Sequence, residues 1–362
     1  MACPEPIARI RRRAQDRAKA AGGWLREHYQ ALFLAALIGL LLYPLRGFPG
    51  NFTDFPTKFW GYDELVRGYT ALRLNVLRDT IFGDVFIRPG GWLVYTGETS
   101  VSDYQNASPF TGAELSRIQQ NLDGLDQRLS HEGITFLVVI VPGKNTIYPE
   151  QMPGQILQLG QVSQTDQLLD YMKQHGGQAR ILDLRPALRE AAQQRQIFYA
   201  TDTHWNPYGI WTGYREILNA LQSDFPRLQP HALEDYRYVS SGPGSGDLSE
   251  EWLQGLVQEE MFQLQPRFNR RTVQRVLTQG TAMVPGRVVA TYNPDSSLPR
   301  AVIFHDSFFN GMIPFLSDHF SWAVYRWAFQ VDEIFVAGEK PDIVIYEVTD
   351  RYLTRLLDMD KN

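Results

Sequence analysis

Ile134-Thr-Phe-Leu-Val-Val-Ile-Val141 is, apart from one threonine, an unbroken apolar run rich in β-branched residues. A strand with one wet face would alternate apolar and polar positions. A run like this suits a central strand of a parallel sheet covered on both faces. The residues before it agree. Thr111-Gly-Ala-Glu114 has the spacing of a capping box. Leu115, Ile118, Leu122, Leu125 and Leu129 then fall on one helical face, and Gly133 stops the helix just before the run. A helix leading into a buried strand is one unit of a layered α/β fold.

The same rhythm continues downstream. Residues 168–175, 185–195 and 207–220 have helical spacing, and residues 180–184 and 197–200 read as extended. After a break it resumes with Arg300-Ala-Val-Ile-Phe304 as a strand and a helix through Leu316. Residues 322–328 are extended, residues 331–337 form a short helix, and Ile343-Val-Ile-Tyr-Glu347 is the last strand. The expectation is a three-layer α/β domain with a mainly parallel sheet. Residues 226–298 interrupt the rhythm with Gly242-Pro-Gly-Ser-Gly246 and β-leaning polar pieces, and read as a small β-rich insertion over the sheet. Upstream, residues 62–81 show helical spacing, and residues 85–95 alternate around Pro89-Gly-Gly91 as a hairpin.

The chain has 362 residues, a formal net charge of −5 and one cysteine, Cys3. No internal disulfide or Cys-based zinc site can form, and no basic excess points to nucleic acid. Arg9, Arg11, Arg12, Arg13, Arg17, Lys19 and Arg26 precede an apolar run from Ala31 to Leu45. Basic residues before a short apolar span orient it with the N-terminus in the cytoplasm. A cleaved signal and a buried helix are the alternatives; the following Arg46-Gly-Phe-Pro-Gly50 lacks the small-residue pattern of a cleavage site.

Catalytic groups in open α/β sheets sit at the carboxyl ends of strands. One such place is Tyr199-Ala-Thr-Asp-Thr-His-Trp-Asn-Pro-Tyr-Gly209. Asp202 and His204 are two apart, and Pro207 is placed to open the next helix. A carboxylate there can orient the imidazole, although a lone Asp-x-His serves equally as a turn cap beside a structural histidine. The other place is Phe304-His-Asp-Ser-Phe-Phe-Asn310, where a strand runs straight into a helix and presents Ser307 at the sheet edge. Asp306 or Ser307 could instead be an ordinary N-cap. Together the two segments offer a nucleophile, a base and an orienting acid. A metal reading of Asp202, His204, His305 and Asp306 as N/O ligands is also open, but it leaves Ser307 without a role.

Asp-Thr-His-Trp followed by Asn-Pro-Tyr-Gly resembles the signature of the alginate O-acetyltransferase family (AlgJ/AlgX-like), whose fold is a circularly permuted SGNH hydrolase-like domain. Gly91-Trp-Leu-Val-Tyr-Thr-Gly97, Val141-Pro-Gly-Lys-Asn-Thr-Ile-Tyr-Pro149, Ser245-Gly-Asp-Leu248 and Lys340-Pro-Asp-Ile-Val-Ile-Tyr-Glu347 agree with it. The similarity spans roughly residues 80 to 357. One position departs: the family's glycine two before the nucleophile is His305 here, which could narrow the pocket or touch substrate.

The resemblance implies an acetyltransferase without metal or cofactor, acting on a polysaccharide outside the cytoplasmic membrane. Ser307 would form an acyl-enzyme, His204 would shuttle the proton and Asp202 would orient it. The Ser307 backbone N–H is the expected oxyanion donor, with Lys144 and Asn145 as further candidates. Trp205 and Tyr208 could stack on a sugar or pack beneath the site, and Arg326 and Arg351 could bind an anionic sugar or form salt bridges. A membrane-bound O-acyltransferase is the implied acetyl supplier. The expected organisation is a basic cytoplasmic tail over 1–28, a transmembrane signal-anchor over 29–45, a linker and leading helix over 46–80, and the SGNH hydrolase-like domain over 81–362, periplasmic or extracellular, with the insertion at 226–298. The same triad would serve a carbohydrate acetylesterase, and the His305 departure leaves room for a non-catalytic glycan-binding subunit of an export complex.

Overall fold

The computed structural model describes residues 28–31, 33–35, 37–39, 61–276 and 287–359. The chain divides into two compact units, Met1–Arg78 and Asp79–Asn362. In the first, the expected basic tail and transmembrane anchor fall mostly outside the described residues. The described pieces of 28–39 are helical and exposed, and no helix among the described residues is long and apolar enough to cross a membrane. The helix expected over 62–81 is shorter, Tyr62–Leu72 followed by a wide turn at Arg73–Leu77. Arg78 then takes a left-handed φ of 59°, which ends the helical path.

In the second unit, a three-stranded antiparallel sheet opens the chain: β1 (Ile81–Phe82), β2 (Val85–Ile87) and β3 (Leu93–Tyr95). β2 and β3 form the expected hairpin, with Gly90 and Gly91 at positive φ. The main sheet has, among the described residues, seven strands. They are β4 (Thr135–Val141), β5 (Ile181–Asp183), β8 (Val273–Val276), β9 (Val288–Tyr292), β10 (Arg300–His305), β11 (Trp322–Trp327) and β12 (Ile343–Thr349), in the order β5-β4-β12-β10-β11-β9-β8. The run from β5 to β11 is parallel throughout. β9 pairs antiparallel with both β11 and β8.

The insertion expected over 226–298 is thus only in part an insertion. β6 (Tyr236–Gly244) and β7 (Glu259–Pro266) form a separate two-stranded ribbon. β8 and β9 instead complete one edge of the main sheet, which makes it mixed rather than uniformly parallel. Both are short, and Gln274 and Arg275 hide β8 from a search for apolar runs.

Alternation in the central strands divides the core between the two faces. Leu137, Val139 and Val141 of β4, with Ile303 of β10 and Ile345 of β12, pack into one cluster beside helix Pro207–Leu221. Phe136, Val138 and Ile140, with Phe304 and Tyr346, pack into the other beside helix Gly112–His131. This is the three-layer arrangement that the run at 134–141 anticipates. The capping box forms: Thr111 Oγ1 accepts the Glu114 N–H at 3.2 Å, and the Glu114 carboxylate accepts the Thr111 N–H at 2.7 Å. All five leucine and isoleucine positions of that helix face are buried.

These packings predict a graded response in urea. Leu122→Ala, at a fully buried position, should destabilise the protein by about 2–5 kcal/mol. Thr111→Ala should cost only about 1 kcal/mol.

Candidate active site

Ser307 stands where β10 gives way to a 3-10 turn, Ser307–Met312. Asp306 caps that turn, its Oδ1 accepting the Phe308 N–H at 2.9 Å. The serine is partly accessible, while Asp306 and Phe308 on either side of it are buried.

The Asp-x-His segment is a loop closed by a bridge between Phe198 and Trp205. Asn206 then caps helix Pro207–Leu221, its side-chain oxygen accepting the Tyr208 N–H at 2.9 Å. Gly209 is required by close approach, since a Cβ there would lie 2.4 Å from the Ile197 carbonyl oxygen. The Trp205 indole N–H donates to the Phe308 carbonyl at 3.0 Å and ties this loop to the nucleophile turn.

The two loops meet. His204 Nε2 lies 2.9 Å from Ser307 Oγ, and His204 Nδ1 lies 2.8 Å from Asp202 Oδ1. The same Asp202 oxygen accepts the His204 backbone N–H at 2.8 Å, so one carboxylate fixes both the ring and its backbone. This geometry allows a serine to lose its proton to an oriented imidazole.

A second acid stands beside the first. Asp247 Oδ2 is 3.2 Å from His204 Nδ1 and also accepts the Thr203 hydroxyl, while the Asp247 N–H donates to Asp202 Oδ2 at 3.1 Å. Gly246 makes the approach possible, because a Cβ there would fall 2.4 Å from Asp202 Cβ. Sequence reasoning assigned Asp247 no role. The available signal is its place in Ser245-Gly-Asp-Leu248, an acid directly after a glycine and at the start of helix Asp247–Leu253. Burial alone would lower the His204 pKa and is the largest single effect. The hydrogen bonds and charges of Asp202 and Asp247 together outweigh it and push the imidazole up to about 9. Burial would raise the Asp247 carboxyl, but His204 and Thr203 hold it below the usual carboxylate range.

The loop rests on two further charges. Lys144 is buried against the Trp92 ring, 4.3 Å from its centre, and donates to the carbonyls of Leu93, Ala200 and Asp202, each at 2.9 Å. Burial lowers its pKa to about 7 against the pull of Glu259, Asp202 and Asp247. Glu259 of β7 accepts the backbone N–H groups of Ala200 and Thr201 at 2.8 and 2.6 Å.

Several expected site residues stand elsewhere. Lys144 is no free oxyanion donor, because its three N–H bonds are all spent on carbonyls. Trp205 is 2% exposed and packs under the site. Tyr208 packs against the Phe262 ring and the Arg195 guanidinium, at 5.0 and 4.6 Å, and lines a cavity with Trp211 and His231. Arg326 pairs with Asp332 at 2.8 Å. His305 is buried, with Nδ1 2.7 Å from the Asp306 carbonyl and its ring against Phe309. Burial lowers its pKa to about 4 and keeps it neutral. The N/O cluster weighed from the sequence does not assemble, because His305 and Asp306 are committed to these inner partners. Asp202, His204 and Asp247 do bring ligand atoms within 4.8 Å of one another, but each atom already serves the contacts just described.

Asn145 remains at the site. Its amide donates to the Tyr95 carbonyl at 3.3 Å, and it lines a cavity of about 40 Å³ whose wall includes Thr203, Phe308 and Arg351. Through Asp103, Tyr104 and Asp350 this cavity continues into a larger one of about 240 Å³. Arg351 lies over the Phe308 and Tyr352 rings, at 5.9 and 4.8 Å.

Comparison with known proteins gives the family. Residues 86–283 match the family model described as SGNH hydrolase-like domain, acetyltransferase AlgX. The probable alginate O-acetylase AlgJ of Azotobacter vinelandii is 24% identical over 360 residues, 92% of this chain and 90% of that protein. The protein of the same description from Pseudomonas syringae pv. tomato is 28% identical over 251 residues, 62% of this chain and 60% of that one. Bacillus cereus PatB1 shares the fold, with a TM-score of 0.57 at 15% identity over 77% of this chain and 97% of that one.

The paired acids make a measurable prediction. In NMR titrations the His204 ring should change protonation near pH 9, and Asp247→Asn should move that midpoint toward the ordinary 6.5. Because the folded value is the higher one, the stability due to protonated His204 is fully present below about pH 6.5. It is lost as pH rises through about 9.

Proposed function

Because the chain belongs to the family of SGNH hydrolase-like acetyltransferase domains described by AlgX, we propose that it is a serine O-acetyltransferase acting through Ser307, His204 and Asp202. The observation that carries this reading is the pair of contacts on one imidazole, 2.9 Å to Ser307 Oγ and 2.8 Å to Asp202 Oδ1.

In the first half-reaction Ser307 Oγ attacks the acetyl carbonyl and its proton passes to His204 Nε2. The donor's leaving oxygen takes that proton as its bond to the acyl carbon breaks, and an acyl-enzyme remains. In the second, a sugar hydroxyl gives its proton to Nε2 and attacks the acyl carbon. The ester bond to Ser307 breaks, and Oγ recovers the proton. Asp202 orients the ring, and Asp247 shares the imidazolium charge. In this reading the Ser307 backbone N–H and the Asn145 amide donate to the oxyanion.

The acceptor in this reading is an exported polysaccharide, and the description of the relatives makes alginate the first to test. Residues 29–45 anchor the chain in the cytoplasmic membrane with the basic tail inside. The catalytic domain then lies in the periplasm or outside the cell, where a membrane-bound O-acyltransferase supplies acetyl groups.

The test uses full-length protein, a chromogenic acetyl ester and a glycan acceptor. Wild type should yield acetylated glycan, and Ser307→Ala should lower that yield by about 10³-fold or more. Free acetate without acetylated glycan would instead identify an esterase. Unchanged glycan acetylation by Ser307→Ala would leave a binding subunit.

A further inference from the structure

Two buried carboxyl groups lie beside the nucleophile turn, and the proton relay uses neither. Asp306 and Glu347 are each 1% exposed. Glu347 Oε2 accepts the Asp306 backbone N–H at 2.9 Å. Asp306 itself accepts three donors: the Phe308 N–H at 2.9 Å, the Thr349 N–H at 2.9 Å and the Thr349 hydroxyl at 2.5 Å. That set suits a charged carboxylate. Glu347 Oε1 has no hydrogen-bond partner.

Two carboxylates this close together in a dry interior, one bonded to the backbone of the other, do not both stay ionised. Nothing around the pair offsets a second negative charge. Asp306, at the end of β10, is the charged group that acts on Glu347. The β4 residue in register with Glu347 is the apolar Val139. His305 is neutral, and the charges of Arg287 and Arg355 are felt at His305 and Tyr346 respectively. Neither acid forms a salt bridge among the described residues.

We propose that Glu347 carries a proton, and that Glu347 and Asp306 together are the positioning device that holds the backbone on both sides of Ser307. The β10–β12 ladder runs as far as Phe304 opposite Tyr346. Beyond it the acid pair takes over the connection. Glu347 grips the peptide before Ser307, Asp306 grips the peptide after it, and Thr349 fastens Asp306 to β12. Burial, and next to it the charge of Asp306, push the Glu347 carboxyl well above its ordinary range.

The positioning role rests on Ser307 being the nucleophile, whereas the Glu347 proton does not, so the test reads them separately. Glu347→Gln mimics the protonated acid. Above about pH 4.5 the folded wild type keeps a proton that the unfolded chain loses. The wild-type unfolding constant, divided by that of Glu347→Gln, should therefore climb by up to about tenfold per pH unit until the folded group titrates. A flat ratio would overturn the Glu347 proton. Should Glu347→Gln fail to fold, the infrared spectrum of the wild type at pH 7 decides: a protonated carboxylic acid band is expected, and its absence overturns the proposal. In ester turnover, Glu347→Ala should lower kcat at least about tenfold with KM nearly unchanged, and Glu347→Gln should restore it. Full kcat in Glu347→Ala would remove the positioning role, whereas normal turnover by Ser307→Ala would remove the catalytic reading instead.

Discussion

Lys144 lies out of reach of water and gives its three protons to Leu93 O, Ala200 O and Asp202 O. Through that one ammonium the early hairpin, the end of β4 and the loop that carries the base share an anchor. Burying a charge is costly, and the fall of its pKa from 10.5 to about 7 registers that cost. The geometry compensates. Three backbone carbonyls accept its protons, and the Trp92 ring supplies a cation–π contact. A loop held in this way can keep Asp202 and His204 within hydrogen-bond distance of a serine 103 residues away. The Trp205 indole bonds the same loop to the nucleophile turn from the other side.

The fold was legible wherever a local pattern had a single physical explanation. A strand buried on both faces cannot alternate, so residues 134–141 announced the middle of the sheet. The capping box at 111–114 reads from four residues because both of its bonds are local. That β8 and β9 join the main sheet was not legible, since the place of a short strand near a sheet edge is specified by the partner it meets. The meeting of Ser307 with His204 could be anticipated because strand ends in a parallel sheet converge. Asp247 could not, because its part depends on Gly246 allowing it against Asp202, a contact between separate loops.

Side-chain direction was the other gap. Lys144, Trp205, Tyr208 and Arg326 are of residue types that bind sugars and anions, and each is spent on protein partners instead. A sequence shows that an indole or a guanidinium is present, but not that Phe308 O, Phe262 or Asp332 already occupies it. His305 makes the same point at the position where the resembling family has glycine. Its ring turns into the core against Phe309 and does not line either cavity beside the site. The histidine is accommodated by packing.

The paired acids on His204 create a tension that bears on how the site works. With the imidazole at about 9, roughly one molecule in a hundred holds it neutral at pH 7, and only the neutral ring can accept the Ser307 proton. A lone carboxylate would leave more of the resting enzyme competent. Asp247 is useful on the other side of the barrier, where the ring has become an imidazolium beside an oxyanion and must persist until the leaving group takes its proton. In the proposed reaction both half-reactions pass through the same charged ring, so the second acid would stabilise both transition states at the expense of the free base. A bound acyl donor that partly covers the ring would favour the neutral form in the ground state by desolvation. Asp202 and Asp247, fixed by Lys144, Thr203 and Gly246, would remain in place for the charge as it develops.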